Sequence, residues 1–191
     1  AQDAVNAAAA AQADRTLAEA WQSRRAYPLV VTQGDGNLGV KGKNFEMLFS
    51  IAGAGPASLK VNGTEWLWRA PRPAFWRAST DNDRGCGFPL RAAAWMAADV
   101  FVTYNGMKVL EAGPDCVKVQ FQFGIPTVPG ASAELVYTVE AQGALRVDAV
   151  YHGVAGAPEL PCFGVKFETF GPVTRTVWTG LSGETYPDRY K

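Results

Sequence analysis

Residues 117–123 alternate strictly between apolar and polar side chains, and no other feature of the sequence restricts the fold as tightly. Successive side chains of a strand point to opposite faces of its sheet, so this period of two predicts a strand with one buried and one wet face. From Leu29 onward, similar short runs are separated by glycine, proline and asparagine, as is typical of antiparallel strands. The predicted strands cover residues 29–32, 45–51, 58–61, 100–104, 117–123, 133–139, 145–151, 164–170 and 175–178.

Two asparagine–glycine pairs, Asn62-Gly63 and Asn105-Gly106, favour hairpin turns because both residue types accept positive φ at low cost. An alanine-rich stretch with a tryptophan and a methionine, residues 90–98, predicts a single helix among the strands, lying across an end of the sheets. The sequence therefore predicts an all-β fold in which antiparallel sheets form a sandwich.

The charge balance bears on the class of partner. Eighteen basic residues against eighteen acidic ones give a formal net charge of zero, so nothing favours a nucleic acid or an anionic membrane. The three cysteines have neither metal-like nor redox-like spacing, which favours reduced thiols and a cytoplasmic protein. No apolar run approaches the roughly 20 residues that a membrane-spanning helix needs, and no export signal is recognisable.

The first 28 residues differ in composition from the rest. They are rich in alanine with scattered charges, which favours a helix, but alanine buries little area, so a disordered arm or linker is an equal alternative. Tyr27-Pro28 ends this pattern because the residue before a proline is kept out of the helical region. We expect an arm over residues 1–28 and the sandwich domain over residues 29–191.

Residues 73–85 concentrate polar side chains in a stretch without strand or helix periodicity, which predicts a loop. Asp81 and Asp83 could be paired acids for glycoside cleavage, which needs two carboxyl groups about 5 to 9 Å apart. Alternatively they cap backbone N–H groups while Arg77 and Arg84 neutralise them. The structural role is favoured because turn-forming aspartates are far commoner than catalytic ones.

Four long motifs carry a resemblance to a known family: FWRASTDNDRG, VKGKNFEMLFS, SLKVNGTEWLWRAPRP and GLSGETYPDRYK. Together they resemble the small subunit of heterodimeric β-galactosidases of glycoside hydrolase family 2, and the fifth domain of the single-chain enzymes. The resemblance extends from about Gly34 to the last residue. It implies a large two-sheet sandwich of the galactose-mutarotase type. It also implies that the domain continues beyond residues 186–189, so that the sandwich here is truncated at its C-terminal end.

The resemblance further implies what the chain does and does not contribute. The parent reaction is hydrolysis of terminal β-D-galactosides such as lactose with retention, and the family's catalytic glutamates lie in a barrel domain. The magnesium and monovalent cation of the family also belong to that barrel, so we expect no catalytic residue, metal or cofactor in this chain and no activity of the chain alone. The expected partners are the catalytic large chain or barrel domain and further copies of this chain through sheet edges, with galactoside met only through the parent enzyme.

The candidates for an interdomain loop or a position near substrate fall in two motifs. The first motif contributes Arg77, Asp81, Asn82, Asp83 and Arg84, and the second contributes Glu184, Tyr186, Asp188 and Arg189.

Two other functions remain open. A free-standing carbohydrate-binding module would need an exposed aromatic platform, and Trp66 and Trp68 share one face of a predicted strand, so they are buried together or exposed together. If they are exposed, a subunit contact is favoured over a sugar platform. A mutarotase-like enzyme would pair a histidine with a carboxylate, whereas His152 is the only histidine and is expected in a solvated turn.

Overall fold

Antiparallel strands make up most of the described part of the chain. The computed structural model describes residues 27–171, 173–175 and 177. The strands are β1 (Val30–Gln33), β2 (Asn37–Lys41), β3 (Phe45–Ser50), β4 (Gly55–Val61), β5 (Thr64–Glu65), β6 (Leu67–Ala74), β7 (Thr103–Ala112), β8 (Cys116–Gly124), β9 (Ser132–Glu140), β10 (Leu145–His152) and β11 (Gly164–Thr169). The helices are α1 (Asp81–Gly85), α2 (Phe88–Arg91) and α3 (Ala93–Phe101). The predicted arm and the predicted strand 175–178 lie largely outside the described residues.

The strands form three antiparallel sheets. The first has the order β1-β2-β3-β4-β5, the second has the order β10-β9-β8-β7, and the third is a ribbon of β11 and β6. Strands that pair with each other are also consecutive along the chain, as expected for strands linked by short turns; the exception is the pair of β6 and β11. The prediction of an all-β sandwich is confirmed.

The core lies between the two larger sheets. The side chains that β8 directs inward are buried at no more than 1% exposure, namely Val117, Val119, Phe121 and Phe123. They pack in one cluster with inward residues of β2 and β3, including Phe49, whose ring centroid lies 6.2 Å from that of Phe121. Burying a phenylalanine of this kind contributes about 1.5–3 kcal/mol. The alternation of residues 117–123 is therefore confirmed as a half-buried strand.

The two asparagine–glycine pairs have different outcomes. Asn62 and Gly63 have φ values of 50° and 79° and join β4 to β5, so this hairpin is confirmed. Asn105 and Gly106 instead lie within β7, where the register with β8 shifts. The predicted turn is wrong because the same conformational freedom also suits a β-bulge.

The segment before β7 is more helical than the sequence predicts. The helix predicted over residues 90–98 is two helices, α2 and α3, which meet at Ala92. Val100 and Phe101, predicted to begin a strand, are the last two residues of α3. Buried Trp95 and Ala98 lie three residues apart, on one face of the helix. Their burial stabilises helix α3 through Phe101, although the composition of residues 100–101 is typical of a strand.

The ribbon strand β6 was predicted only at its start, as a short strand with Trp66 and Trp68, and the structure places Trp66 just before β6. It contains Pro71 and Pro73, and proline within a run argues against a strand that is paired on both sides. Among the described residues β6 is paired only with β11, in an irregular register, where proline is tolerated. No helix in the described part of the chain is long and apolar enough to span a membrane.

Candidate functional site

The candidate loop begins at a buried phenylalanine that fixes it to the sandwich. Phe75 has no solvent exposure, and its ring centroid lies 5.7 Å from Trp95 and 5.8 Å from Phe163. The backbone N–H of Phe75 donates a hydrogen bond of 2.6 Å to Oδ1 of Asp99. Because Trp95 and Asp99 both belong to α3, the start of the loop and the helix that follows it are held together.

Helix α3 is fixed in turn to the second sheet. The ring centroid of Trp95 lies 5.7 Å from that of Tyr151 on β10, in an edge-to-face arrangement. The indole N–H of Trp95 donates to the carbonyl oxygen of Pro158 at 3.0 Å. Buried tryptophan needs such a partner for its one donor. The aromatic cluster of Phe75, Trp95, Tyr151 and Phe163 thus anchors both ends of residues 76–94.

The centre of this segment is a short helix with a reciprocal cap. The hydroxyl of Thr80 accepts a hydrogen bond from the backbone N–H of Asp83 at 3.2 Å, and the Asp83 carboxylate accepts one from the backbone N–H of Thr80 at 2.8 Å. This arrangement satisfies two backbone donors that a helix N-terminus otherwise leaves open. The predicted loop over residues 73–85 therefore contains the end of β6 and the whole of α1.

Arg77 binds the carboxylate of the capping residue Asp83. Its guanidinium contacts both carboxylate oxygens of Asp83, with Nη1 to Oδ2 at 2.5 Å and Nη2 to Oδ1 at 3.2 Å. The Asp83 side chain is 15% exposed. The Arg77 hydrogen bonds, with those from Thr80, hold the pKa of the Asp83 carboxyl well below its usual range. Asp83 is therefore an ionised carboxylate whose acceptor positions are engaged within the loop.

The remaining members of the first motif face solvent. Asp81 pairs with Arg84, whose guanidinium also donates to the carbonyl oxygen of Ser79 at 3.0 Å. The Asp81 side chain is 95% exposed, and Asn82 is also exposed. The loop therefore presents one carboxylate, one carboxamide and the Arg84 guanidinium on a short capped helix.

A glycine turns the chain from α1 into α2. Gly87 has φ = 69°, in the left-handed region that favours glycine. Beyond it Phe88 is buried, Leu90 is exposed, and the Arg91 guanidinium donates to the carbonyl oxygen of Cys86. Residues 76–94 thus form an ordered protrusion held by its own hydrogen bonds.

This arrangement does not suit acid/base chemistry on a glycoside. Cleavage with two carboxyl groups requires one of them to stay protonated as the general acid, with a raised pKa. Asp83 has a lowered pKa, so it is not suited to hold that proton, and Asp81 is exposed and paired with Arg84. The described residues also contain no group of three or more His, Cys, Asp or Glu side chains that could hold a metal ion.

The second motif lies outside the described residues; its members are Glu184, Tyr186, Asp188 and Arg189.

The tryptophan pair lies on the surface. Trp66 and Trp68 are 51% and 59% exposed, which confirms that they share an environment. The centroid of the Trp68 ring lies 4.9 Å from that of exposed Phe170, with the two planes at 79°. Trp66, Trp68 and Phe170 are here called the tryptophan patch, in which the rings of Trp68 and Phe170 cross and do not form a flat platform.

The only histidine lies beside a carboxylate that the sequence analysis missed. His152 ends β10, and its Nε2 lies 3.5 Å from Oε1 of Glu134 on β9. The Glu134 carboxylate also accepts hydrogen bonds from the carboxamides of Gln120 at 2.7 Å and Gln122 at 3.4 Å. These side chains lie on the outer, polar face of the sheet. Alternation within each strand indicates that outer face, but only the register between β8, β9 and β10 brings the four side chains together.

Comparison with known proteins assigns the family. The family model for the β-galactosidase small chain matches residues 41–191. A β-galactosidase small subunit from Latilactobacillus sakei is 44% identical over 180 residues, covering 84% of this chain and 57% of that protein. β-Galactosidases from Clostridium acetobutylicum and Lactobacillus delbrueckii subsp. bulgaricus are each 36% identical, covering 83% and 91% of this chain.

The lengths of these relatives differ from that of this chain. It spans 57% of the Latilactobacillus small subunit and 18% of each of the two longer enzymes. The matched region includes the whole of residues 76–94 and the tryptophan patch. The chain belongs to the β-galactosidase small chain family.

Proposed function

We propose that this chain is a non-catalytic structural part of a β-galactosidase that hydrolyses terminal β-D-galactosides such as lactose with retention of configuration. In this proposal the acid/base and nucleophile carboxylates lie in a catalytic large chain or barrel domain. The chain described here supports that barrel, forms part of the wall of its active site and takes part in oligomer assembly. The parent enzyme works in the cytoplasm, in keeping with the reduced thiols of Cys86, Cys116 and Cys162.

One observation carries the proposal: the ordered protrusion of residues 76–94 presents polar groups outward while its own carboxylates are neutralised. Arg77 and Asp83 lock the protrusion, whereas Asp81 and Asn82 remain exposed. Polar side chains on a rigid support are suited to lining a site between chains, because little ordering entropy is lost when a partner arrives.

The tryptophan patch supports docking on a partner protein. Sugar platforms present an aromatic face to the apolar side of a ring, but Phe170 stands nearly perpendicular to Trp68. Crossed aromatic rings fit a pocket on another protein, and tryptophan is enriched among residues that dominate such interfaces. We assign this patch to contact with the catalytic chain.

Magnesium and a monovalent cation, which the family uses, belong to the barrel in this proposal. In this proposal the chain bears on those cations by shaping the surroundings of the barrel.

Two measurements test the proposal. Calorimetric titration of the chain with galactose and with lactose should give no binding heat, and lactose hydrolysis should require the addition of a catalytic large chain of this family. Asp81→Asn, which keeps the exposed position but removes the charge, should lower activity of the assembled enzyme, while Lys108→Gln on β7, far along the chain from the loop, should not. Hydrolysis by the chain alone would refute the non-catalytic role.

The alternatives make opposite predictions in the same experiments. A free-standing carbohydrate-binding module would bind galactose or lactose without a partner, and that binding would be lost in Trp68→Ala. A mutarotase-like enzyme would accelerate interconversion of galactose anomers through Glu134 and His152.

A further inference from the structure

Glu65 is the residue at which the chain passes from the first sheet into the ribbon. It ends β5, and β6 begins two residues later at Leu67. Strand β5 pairs with β4, whereas Leu67 pairs with Thr169 of β11. The chain therefore leaves one sheet and enters another within three residues, and Trp66 lies at that junction.

The Glu65 carboxylate binds both sides of the junction. Its Oε1 accepts hydrogen bonds from the backbone N–H groups of Leu59 at 2.9 Å, Trp66 at 3.1 Å and Leu67 at 3.1 Å. Its Oε2 accepts one from the hydroxyl of Ser58. Ser58 and Leu59 belong to β4, and Leu67 begins β6. One side chain thus ties β4, Trp66 and β6 together.

These hydrogen bonds keep the carboxylate ionised. Burial raises the pKa of the Glu65 carboxyl, but the hydrogen bonds from Ser58 and from the three backbone groups outweigh burial and lower that pKa below its usual value. A hydrogen bond to an ionised acceptor is about twice as strong as one between neutral groups. The junction is therefore held more firmly than a turn with backbone hydrogen bonds alone.

The same contacts fix the tryptophan patch. Leu67 is buried at 4% exposure, and successive side chains of an extended chain point to opposite sides, so Trp66 and Trp68 both point away from it. The carbonyl oxygen of Trp66 accepts a hydrogen bond from the backbone N–H of Phe170 at 3.2 Å. The Trp66 backbone is therefore held at its N–H by Glu65 and at its carbonyl by Phe170, whose ring meets that of Trp68.

We propose that Glu65 is a positioning residue for the contact between the tryptophan patch and the catalytic chain. This inference rests on the proposed docking of the patch and adds the residue that presents it. A pocket on the partner gains more from rings that are already held in place, because less conformational freedom is lost on binding. Glu65 acts here through the backbone of residues 66–67 and not by touching the partner.

Two substitutions separate positioning from a direct charge contact. Glu65→Ala removes all four hydrogen bonds and should weaken binding of the chain to a catalytic large chain of this family about tenfold or more. Glu65→Gln keeps an oxygen for the three N–H groups and offers an N–H to Ser58, so its affinity should stay within about threefold of the wild type. If Glu65 instead paired with a cation of the partner, glutamine would weaken binding as much as alanine.

A third substitution tests the same contacts even if Glu65→Ala does not fold. Glu65→Asp keeps the charge but withdraws the carboxylate by one methylene group, out of reach of donors that now lie at 2.9–3.1 Å. Its affinity for the large chain should therefore fall about as far as that of Glu65→Ala. Binding of Glu65→Asp at wild-type strength would overturn the proposal, because charge without position would then be sufficient.

Near-ultraviolet circular dichroism of the chain alone gives an independent readout. The signal of the patch is the difference between the wild type and Trp68→Phe, and we expect Glu65→Ala to lose most of it and Glu65→Gln to keep it. Val119→Ala controls for a general loss of stability. Val119 is fully buried in β8, so its truncation should lower stability while leaving the patch signal and the affinity unchanged.

Glu46→Ala is the matched control for removal of a carboxylate. Glu46 lies on β3 of the first sheet and pairs with Lys41 at 2.7 Å, so its loss should change neither the affinity nor the patch signal. Trp68→Ala is the reference for docking and should weaken binding.

The inference and the docking on which it rests can fail separately. If Trp68→Ala binds the large chain like the wild type, both are refuted. If Trp68→Ala binds weakly while Glu65→Ala binds like the wild type, the docking stands and the role of Glu65 is refuted. That role is also refuted if Glu65→Gln is as damaging as Glu65→Ala.

Discussion

Replacing Phe75 should cost more stability than replacing any exposed aromatic residue, because this ring joins the protrusion to the sandwich. Phe75 has no solvent exposure, and its centroid lies within 6.3 Å of those of Trp95, Tyr151 and Phe163. Truncating a buried phenylalanine to alanine costs about 3–5 kcal/mol through lost transfer energy and the cavity left behind. Phe75→Leu keeps part of the volume but loses the ring contacts, and should cost about 1–2 kcal/mol.

The assay is urea unfolding followed by tryptophan fluorescence, with free energies extrapolated to water. Phe101→Ala is the matched control, because Phe101 ends α3 with 61% exposure, and its truncation should change the free energy of unfolding by less than about 0.5 kcal/mol. The reasoning would be refuted if Phe75→Ala cost no more than Phe101→Ala. It would also be refuted if Phe75→Leu were as damaging as Phe75→Ala, since the graded loss is what the aromatic contacts predict.

The remaining predictions concern the loop and the core. Gly87→Ala should lower the free energy of unfolding by about 1–2 kcal/mol, because φ at this position is 69°; Gly85→Ala, in α1 with open space at its Cβ, should be neutral or stabilising. Asp83→Asn should destabilise the chain at neutral pH. Because the folded-state pKa of Asp83 is lowered, that difference should be constant above about pH 5 and shrink as the pH falls below about 4, and a pH-independent difference would contradict the Arg77 pairing. Tyr137→Phe should be neutral or stabilise by up to about 1 kcal/mol, since the buried Tyr137 hydroxyl has no hydrogen-bond partner among the described residues; a loss above about 1 kcal/mol in urea unfolding would indicate a bound water.

The hydrophobic pattern of the sequence predicted the strands whose own alternation of apolar and polar residues shows which face is buried. Residues 117–123 alternate because β8 has a buried and a wet face. Helix α1 was missed although its signal was present: Thr80 is followed three residues later by Asp83, which takes the place of the more usual glutamate or glutamine in a capping box.

The errors arose where packing between elements decides the outcome. Val100 and Phe101 have a strand-like composition, yet they continue α3 because Trp95 and Ala98 are already buried against the aromatic cluster. Glu134 lies 18 residues before His152, and their contact depends on the register of β9 with β10. Neither outcome is encoded within a short window of sequence.

The aromatic cluster also connects the second sheet to the protrusion. Tyr151 on β10 contacts Trp95 of α3, and Trp95 contacts Phe75 at the base of the protrusion. A rigid, packed connection of this kind transmits small displacements because protein cores are close-packed.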